Sequence, residues 1–323
     1  MPQQTILVTG GAGFIGSHVC EALLAQGVSV RCFDDLSTGK RGNVAQLEGQ
    51  PMFAFIEGDL RSIDQLRAAV QGCSAVVHLG ALGSVPRSIA DPLPTEAANL
   101  AGFVNLLEAA RSERVQRVVY ASSSSVYGDS AELPKREGTE GRALSPYAVT
   151  KVMDEAYAHL YHRMHGLKVV GLRFFNVFGE RQDPEGPYAA AIPKFIRALL
   201  KHQAPVVNGD GHQTRDFTYV GNAVHAVQCG LAAGDEAMGE VFNIAYGDRC
   251  DLLDLIAQLK AQVARFDPEV AGIRVEHAPD RPGDVRDSLA DISKARNLLG
   301  YSPKFDLMVG LERAVPWYVA NWR

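Results

Sequence analysis

A tyrosine and a lysine four residues apart stand in the segment Ser145-Pro146-Tyr147-Ala148-Val149-Thr150-Lys151. Ser145 suits a helix N-cap and Pro146 the first helical position, so the spacing predicts a phenol and an ammonium one turn apart on the same helix face. An ammonium in that position favours the phenolate, which can then serve as a general base. Upstream, Ser122-Ser123-Ser124-Ser125-Val126-Tyr127-Gly128 directly follows an apolar, strand-like segment. A tyrosine–lysine pair at this spacing recurs by chance. Its weight here comes from sharing a chain with the serine run and with a glycine turn near the start.

That turn is Gly10-Gly11-Ala12-Gly13-Phe14-Ile15-Gly16, entered from Thr5-Ile6-Leu7-Val8 and followed by a helix-like stretch and then Val28 to Phe33, closed by Asp34-Asp35. Glycines at 10, 13 and 16 allow a tight turn, approach of a pyrophosphate to amide N–H groups, and close packing of helix on sheet. Asp34 lies 18 residues after Gly16, near the ~20-residue offset of an acid that grips ribose hydroxyls. Two carboxylates repel a 2′-phosphate and accept from a free 2′-OH, which favours NAD over NADP. Lys40 and Arg41 are the nearest downstream cations and argue the other way.

Apolar strands alternate with helical stretches through the first half: Thr5–Val8, Val28–Phe33, Met52–Ile56, Ala75–Leu79, Arg117–Ala121 and Lys168–Arg173. This rhythm predicts an α/β fold with a doubly wound parallel sheet, whose ligands lie at the carboxyl ends of the strands. After Arg173 a Gly/Pro/polar stretch, Phe178 to Pro187, precedes a helix-like Ala189–Leu200, and a smaller C-terminal α/β lobe is expected. Phe217–Val220 and Val241–Ile244 are expected to return to the main sheet. The cofactor-binding domain is thus read as 1–173 plus about 217–245, and the second domain as about 174–216 plus 246–323.

The 323 residues are 46% hydrophobic and carry a formal charge of −5 with no lysine- or arginine-dense run, which argues against nucleic acid as the main partner. No stretch approaches ~18 apolar residues, and a strand is entered without a basic leader, so neither membrane nor secretion is expected. Five scattered cysteines without CxxC spacing point away from disulfides and zinc and towards a reducing cytoplasm.

The GxxGxxG turn, the serine run and the YxxxK pair resemble the extended short-chain dehydrogenase/reductases across nearly the whole chain. The family's catalytic Ser/Thr stands four residues before the tyrosine of its VYG motif, which selects Ser123. Nucleotide-sugar 4,6-dehydratases carry Asp-Glu at the next two positions, and UDP-glucuronate decarboxylases a Glu before the valine; this chain has Ser124 and Ser125. Epimerisation is the simplest chemistry left. Ala81-Leu82-Gly83-Ser84-Val85-Pro86-Arg87-Ser88, Asn176 to Pro184, Asn208-Gly209-Asp210-Gly211, Arg215-Asp216-Phe217 and Arg281-Pro282-Gly283-Asp284 closely resemble the UDP-N-acetylglucosamine 4-epimerases of bacterial polysaccharide synthesis.

The resemblance implies the following roles. Ser123, Tyr147 and Lys151 are catalytic. Gly10, Gly13, Phe14, Ile15, Gly16, Asp34, Asp35, Asp59, Leu60 and Asn99, with Tyr147 and Lys151, contact NAD. Asn176, Arg215 and Arg281 face the UDP phosphates and sugar, Asp284 the uridine ribose, Gly83 and Ser84 the sugar's surroundings, and Asn208, Ser123, Ser124 and Tyr147 also bind substrate. Gly83 replaces a lysine often found in UDP-galactose 4-epimerases. Ser288, four residues after Asp284, falls where a tyrosine excludes an N-acetyl group and a small residue admits it. Tyr147 would take the 4-OH proton, directly or through Ser123, and hydride would pass to NAD and return to the opposite face.

The implied reaction is C4 epimerisation of UDP-N-acetylglucosamine and UDP-N-acetylgalactosamine, with UDP-glucose and UDP-galactose as further substrates. Two rivals stay open: a 4-epimerase of UDP-hexuronic acids, with Arg87 or Arg181 meeting the carboxylate, and a noncatalytic dinucleotide-binding sensor. His159, His162 and His165 fan around one helix and read as a solvated face rather than a metal site. The resemblance also implies a homodimer through that helix and the one near Asn99–Ala110. Asp306 to Trp322 has helical spacing, with a kink expected at Pro316.

Overall fold

The computed structural model describes residues 4–184, 190–279 and 286–322. Its first half is the predicted alternation. Strand β1 (Thr5–Thr9), helix α1 (Phe14–Ala25), β2 (Ser29–Asp34), β3 (Phe53–Glu57), α2 (Ile63–Val70) and β4 (Ala75–His78) follow in order. Short helices α3 (Val85–Ala90) and α4 (Pro92–Glu96) and a π-helical turn at Ala97–Ala101 lead into α5 (Gly102–Ser112) and β5 (Arg117–Ser123). Helix α6 (Pro146–His165) then precedes β6 (Lys168–Phe174).

The main sheet has seven parallel strands in the order β3-β2-β1-β4-β5-β6 and, beyond β6, Val241–Ile244. The inner strands β1, β4, β5 and β6 are largely buried on both faces, as a parallel sheet between helical layers requires, while the edge strand β3 is only partly covered. Ile6, Val8, Val119 and Val170 bury into one core, and Leu7, Val118 and Val169 into the other, the period of two expected of strands. The strand order reverses between β1 and β4, so a crevice opens at their carboxyl ends.

The remaining elements are β7 (Val177–Phe178), α7 (Ala191–Leu200), β8 (Val206–Asn208), β9 (Thr214–Arg215), β10 (Thr218–Tyr219), α8 (Val220–Ala232), β11 (Val241–Ile244), β12 (Cys250–Asp251), α9 (Leu252–Ala264), β13 (Glu276–Ala278) and α10 (Leu307–Trp322). Helices α7, α9 and α10 enclose a second core of Phe195, Ile196, Leu255, Leu259, Leu311 and Tyr318.

Two expectations need correction. Phe217–Val220 does not return to the main sheet: β10 is two residues long and pairs with β7 in its own ladder, with Phe217 and Tyr219 buried in the second core. Residues 290–301, expected in the second lobe, bury Ala290, Ile292, Ala295, Leu299 and Tyr301 against the first, because that apolar run packs beside α8 and β11. Pro316 lies inside α10, which continues through it.

Candidate active site

The glycine turn leaves β1 at Gly10, in the left-handed region with φ 66°, where a Cβ would sit 2.6 Å from the Gly80 nitrogen beyond β4. A Cβ on Gly16 would sit 2.1 Å from the Gly10 carbonyl oxygen. Gly13 caps α1, whose first residue is Phe14. The turn thus presses the positive end of α1 against the crevice. A cavity of about 330 Å³ lies there, lined by Gly10, Gly13, Phe14, Ile15 and Gly16 from the turn, Asp34 and Asp35 from the end of β2, Asp59 and Leu60 beyond β3, and Gly83. Ser37 and Thr38, which the spacing argument passed over, also line it.

Asp34 has a double task. Its carboxylate accepts from Ala12 N at 3.0 Å and Leu36 N at 2.9 Å, which locks the glycine turn to the second strand. Burial pushes its carboxyl up, against the pull of those amides. Asp35 accepts from Ser37 N and Oγ, and Asp59 is held by Arg61, which keeps its carboxyl below the usual range. The nearby cations are engaged elsewhere: Lys40 pairs with Asp183 at 2.7 Å, and Arg41 pairs with Glu48 and stacks on Phe55. Asn99 is buried and clasps Leu82 through both backbone groups, Leu82 N at 2.7 Å and Leu82 O at 3.2 Å, so it shapes the cavity through the loop.

A second cavity of about 540 Å³ adjoins the end of β5. It gathers Ser124, Asn176, Arg215 and Ser288 from widely separated segments. Val85, Pro86 and Ser125, from quoted motifs but given no role, and Ile89, Lys135, Leu144 and Phe175, outside any motif, add to its walls. Asn176 donates to Asp216 O at 3.0 Å, Arg215 donates to Thr214 O and Arg286 O, and Ser288 N donates to Thr214 O. Ser84 caps α3 by accepting from Arg87 N. Asn208 ends β8 and accepts at its carbonyl from Gln213. Arg281 and Asp284 lie outside the described residues.

The start of helix α6 lines the larger cavity. Ser145 caps it as predicted, accepting from Ala148 N at 3.1 Å, with Pro146 as first helical residue and Gly166 as left-handed C-cap. Ser145 and Ala148 line the larger cavity, while one turn on Lys151 donates to Ala121 O at 3.0 Å, and Ala121 lines the smaller one. Tyr147, between Ser145 and Ala148 in the first turn of the helix, has its backbone N–H held by the buried Ser88 Oγ at 3.1 Å. Ser123 Oγ accepts from Ser125 N at 3.1 Å, which turns the serine run into a short 3₁₀ helix, Ser124–Tyr127. Burial opposes the Lys151 charge, but Asp154 and Tyr147 outweigh it and hold its pKa above the ordinary value.

Beneath the site, Arg173 of β6 forks onto Glu155 with Nε at 2.8 Å and Nη2 at 2.7 Å, and also bonds Glu140 and the Tyr127 hydroxyl. Such a bidentate pair fixes α6 against the sheet. Among the described residues no group of His, Cys, Asp and Glu could hold a metal; His162 bonds Leu167 O and His165 meets the Tyr161 ring. No described helix is long and apolar enough to cross a membrane.

Relatives share this architecture throughout. The chain is 36% identical to the UDP-glucose 4-epimerase of Mycolicibacterium smegmatis over 315 residues, 97% of each chain. It aligns at TM-score 0.92 and 36% identity with the UDP-N-acetylglucosamine 4-epimerase of Methanobrevibacter ruminantium M1 in complex with UDP-N-acetylmuramic acid, over 99% of both. It aligns at TM-score 0.88 and 34% identity with the UDP-glucuronic acid 4-epimerase of Bacillus cereus in complex with UDP-glucuronic acid and NAD, over 97% of this chain and 98% of that one. The model of the NAD dependent epimerase/dehydratase family matches residues 6–245, and the chain belongs to that family.

Proposed function

We propose that the protein is an NAD-dependent nucleotide-sugar 4-epimerase that interconverts UDP-N-acetylglucosamine and UDP-N-acetylgalactosamine. The observation that carries this reading is Tyr147 and Lys151 one turn apart on α6, whose start lines the larger cavity while Lys151 bonds Ala121 in the wall of the smaller. The smaller cavity suits NAD: it is lined by a glycine turn so tight that a Cβ at Gly10 or Gly16 would strike backbone, and Asp34 and Asp35 end the second strand with both nearby cations already paired. NAD, when bound, supplies a hydride acceptor and donor.

Tyr147 takes the proton of the sugar 4-OH, and Ser123 holds or relays it. Lys151 spends two N–H groups on Ala121 O and Asp154 among the described residues, leaving the third to face the nicotinamide ribose. Arg215 and Asn176 hold the diphosphate, so the 4-keto sugar turns about that anchor and offers its other face. Ser124 and Ser125 stand where dehydratases carry Asp-Glu, so no carboxylate is on hand for chemistry at C5 and C6. Tyr147 then returns the proton, and C4 is inverted with no net redox change.

Ser288, in the wall of the larger cavity, supports the N-acetylated pair. A second reading, UDP-hexuronic acids, draws on Lys135: this buried ammonium lines the same cavity and bonds Ser130 O. Arg181 pairs with Glu21, and Arg87 is not among the lining residues. We further propose a homodimer through the exposed Val149, Val152, Met153, Leu160 and Met164 of α6. Incubation with UDP-N-acetylglucosamine, UDP-glucose and UDP-glucuronic acid, with the C4 epimers resolved by chromatography, tests the assignment. The N-acetylated sugar is expected to turn over fastest; a preference for the uronate would favour the second reading, and no epimer from any would refute both.

A further inference from the structure

Asp154 is one of the best buried carboxylates of the molecule, and the reaction described above does not use it. It lies on α6, three residues after Lys151, with 0% exposure. Its Oδ2 accepts from Lys151 Nζ at 3.1 Å, and its Oδ1, equally buried, has no hydrogen-bond partner among the described residues. The next residue makes the contrast. Glu155 accepts two hydrogen bonds from Arg173 and one from Ser122 Oγ at 2.6 Å, so its charge is answered from the sheet. Among the described residues, only the Lys151 ammonium answers Asp154.

We infer that Asp154 is a positioning residue that tethers Lys151 between two acceptors and sets the pH window in which Tyr147 can work; this rests on the roles of Tyr147 and Lys151 proposed above. A buried anion has two effects on its partner. It keeps Lys151 charged where burial alone would favour the neutral amine. It also cancels part of the field that Lys151 exerts on the phenol one turn away. Burial pushes the Asp154 carboxyl up to about 6, with Lys151 pulling against it, so the cancellation fades as pH falls below that value.

The surroundings leave this pair electrically distinct. On its own helix Asp154 meets Lys151 and Glu155. From β5, Tyr120 faces it with a phenol that burial, Glu155 and Asp154 all push up. From β4, His78 feels Lys151; burial and that charge push it down to about 3, and it stays neutral, bonded to Thr9 Oγ1 at 2.7 Å and stacked on Phe103. From β6, Arg173 is occupied by Glu155 and Glu140. The helices packed on α6 bring Arg87, Glu96, Glu108 and Arg111; Glu108 and Arg111 bond each other, and Glu96 is exposed.

The test is the pH profile of kcat/KM for Asp154→Asn and Asp154→Ser, with Asp154→Glu as the conservative variant. Removing the anion strengthens the Lys151 field on Tyr147 and lets Lys151 lose its proton sooner. Both limbs should therefore move acidward, by roughly one pH unit, in both neutral variants, and Asp154→Glu should move them back. Ultraviolet difference titration of the Tyr147 phenolate, against the same variants carrying Tyr147→Phe, should shift in parallel. Unmoved limbs with a uniform rate loss, or no change at all, would reduce Asp154 to packing and overturn the inference. Tyr147→Phe alone should lose roughly 10²–10⁴ in rate; near-parental turnover there would instead refute the proposed mechanism, and the inference with it.

Discussion

The two cavities beyond the carboxyl ends of the main-sheet strands are built by different rules. The smaller draws mostly on short, early segments of one chain direction: the turn after β1, the acids after β2, the loops after β3 and β4. Its determinants are largely backbone, because a diphosphate is recognised by amide N–H groups and a helix end, and glycines let it come close. The larger cavity gathers side chains from positions 85–90, 124–128, 135, 144–148, 175–176, 215 and 288. Its determinants are shape and side-chain chemistry. The first cavity is thus fixed by local spacing and suits one cofactor, whereas the second depends on tertiary assembly and can be retuned one residue at a time.

The sharpest way to break this contrast is Gly16→Ala. The added Cβ would lie 2.1 Å from a backbone oxygen, and overpacking of this kind costs about 1–3 kcal/mol. NAD affinity should fall by about a hundredfold, with epimerisation of every UDP-sugar lost in the same proportion. Calorimetric NAD titration and a sugar panel check both halves. A loss confined to one sugar would mean that the cavities are not separable.

Ser288→Tyr probes the other side with a smaller effect. A ring in the wall of the larger cavity should lower kcat/KM for the N-acetylated sugars by roughly tenfold to a hundredfold and leave UDP-glucose turnover and NAD affinity near the parent. Competition between the two sugars in one assay measures the ratio directly. Parental efficiency on UDP-N-acetylglucosamine would remove Ser288 as the gate.

The same contrast explains what the sequence could reveal. The glycine turn, the strand rhythm and the Ser145-Pro146 start of α6 follow from local propensity and spacing, and six of the seven strands of the main sheet were legible in that way. Val241–Ile244 was legible as a strand that returns. Thr218–Tyr219 was legible as a strand but assigned to the wrong sheet, because a two-residue ladder is decided by burial in the second core rather than by its own pattern. Lys135 lies in no motif and Ser88 ends one without a role of its own; a buried lysine and a serine that receives a helix N–H become visible only once α6, the loop before it and α3 are packed. Asp154 shows the limit most clearly. An Asp three residues after a Lys on a helix is ordinarily an exposed pair worth little, and only the tertiary structure makes it the counter-ion of a fully buried ammonium.

The account stands or falls on one hydride leaving and returning at a single carbon between the two cavities. The direct measurement uses UDP-N-acetylglucosamine deuterated at C4, turned over by the purified protein in light water, with the product followed by NMR and NADH by absorbance. The account predicts UDP-N-acetylgalactosamine that retains deuterium at C4, without free NADH accumulating alongside product. Loss of the label to solvent, or free NADH rising in step with a 4-keto product, would contradict it.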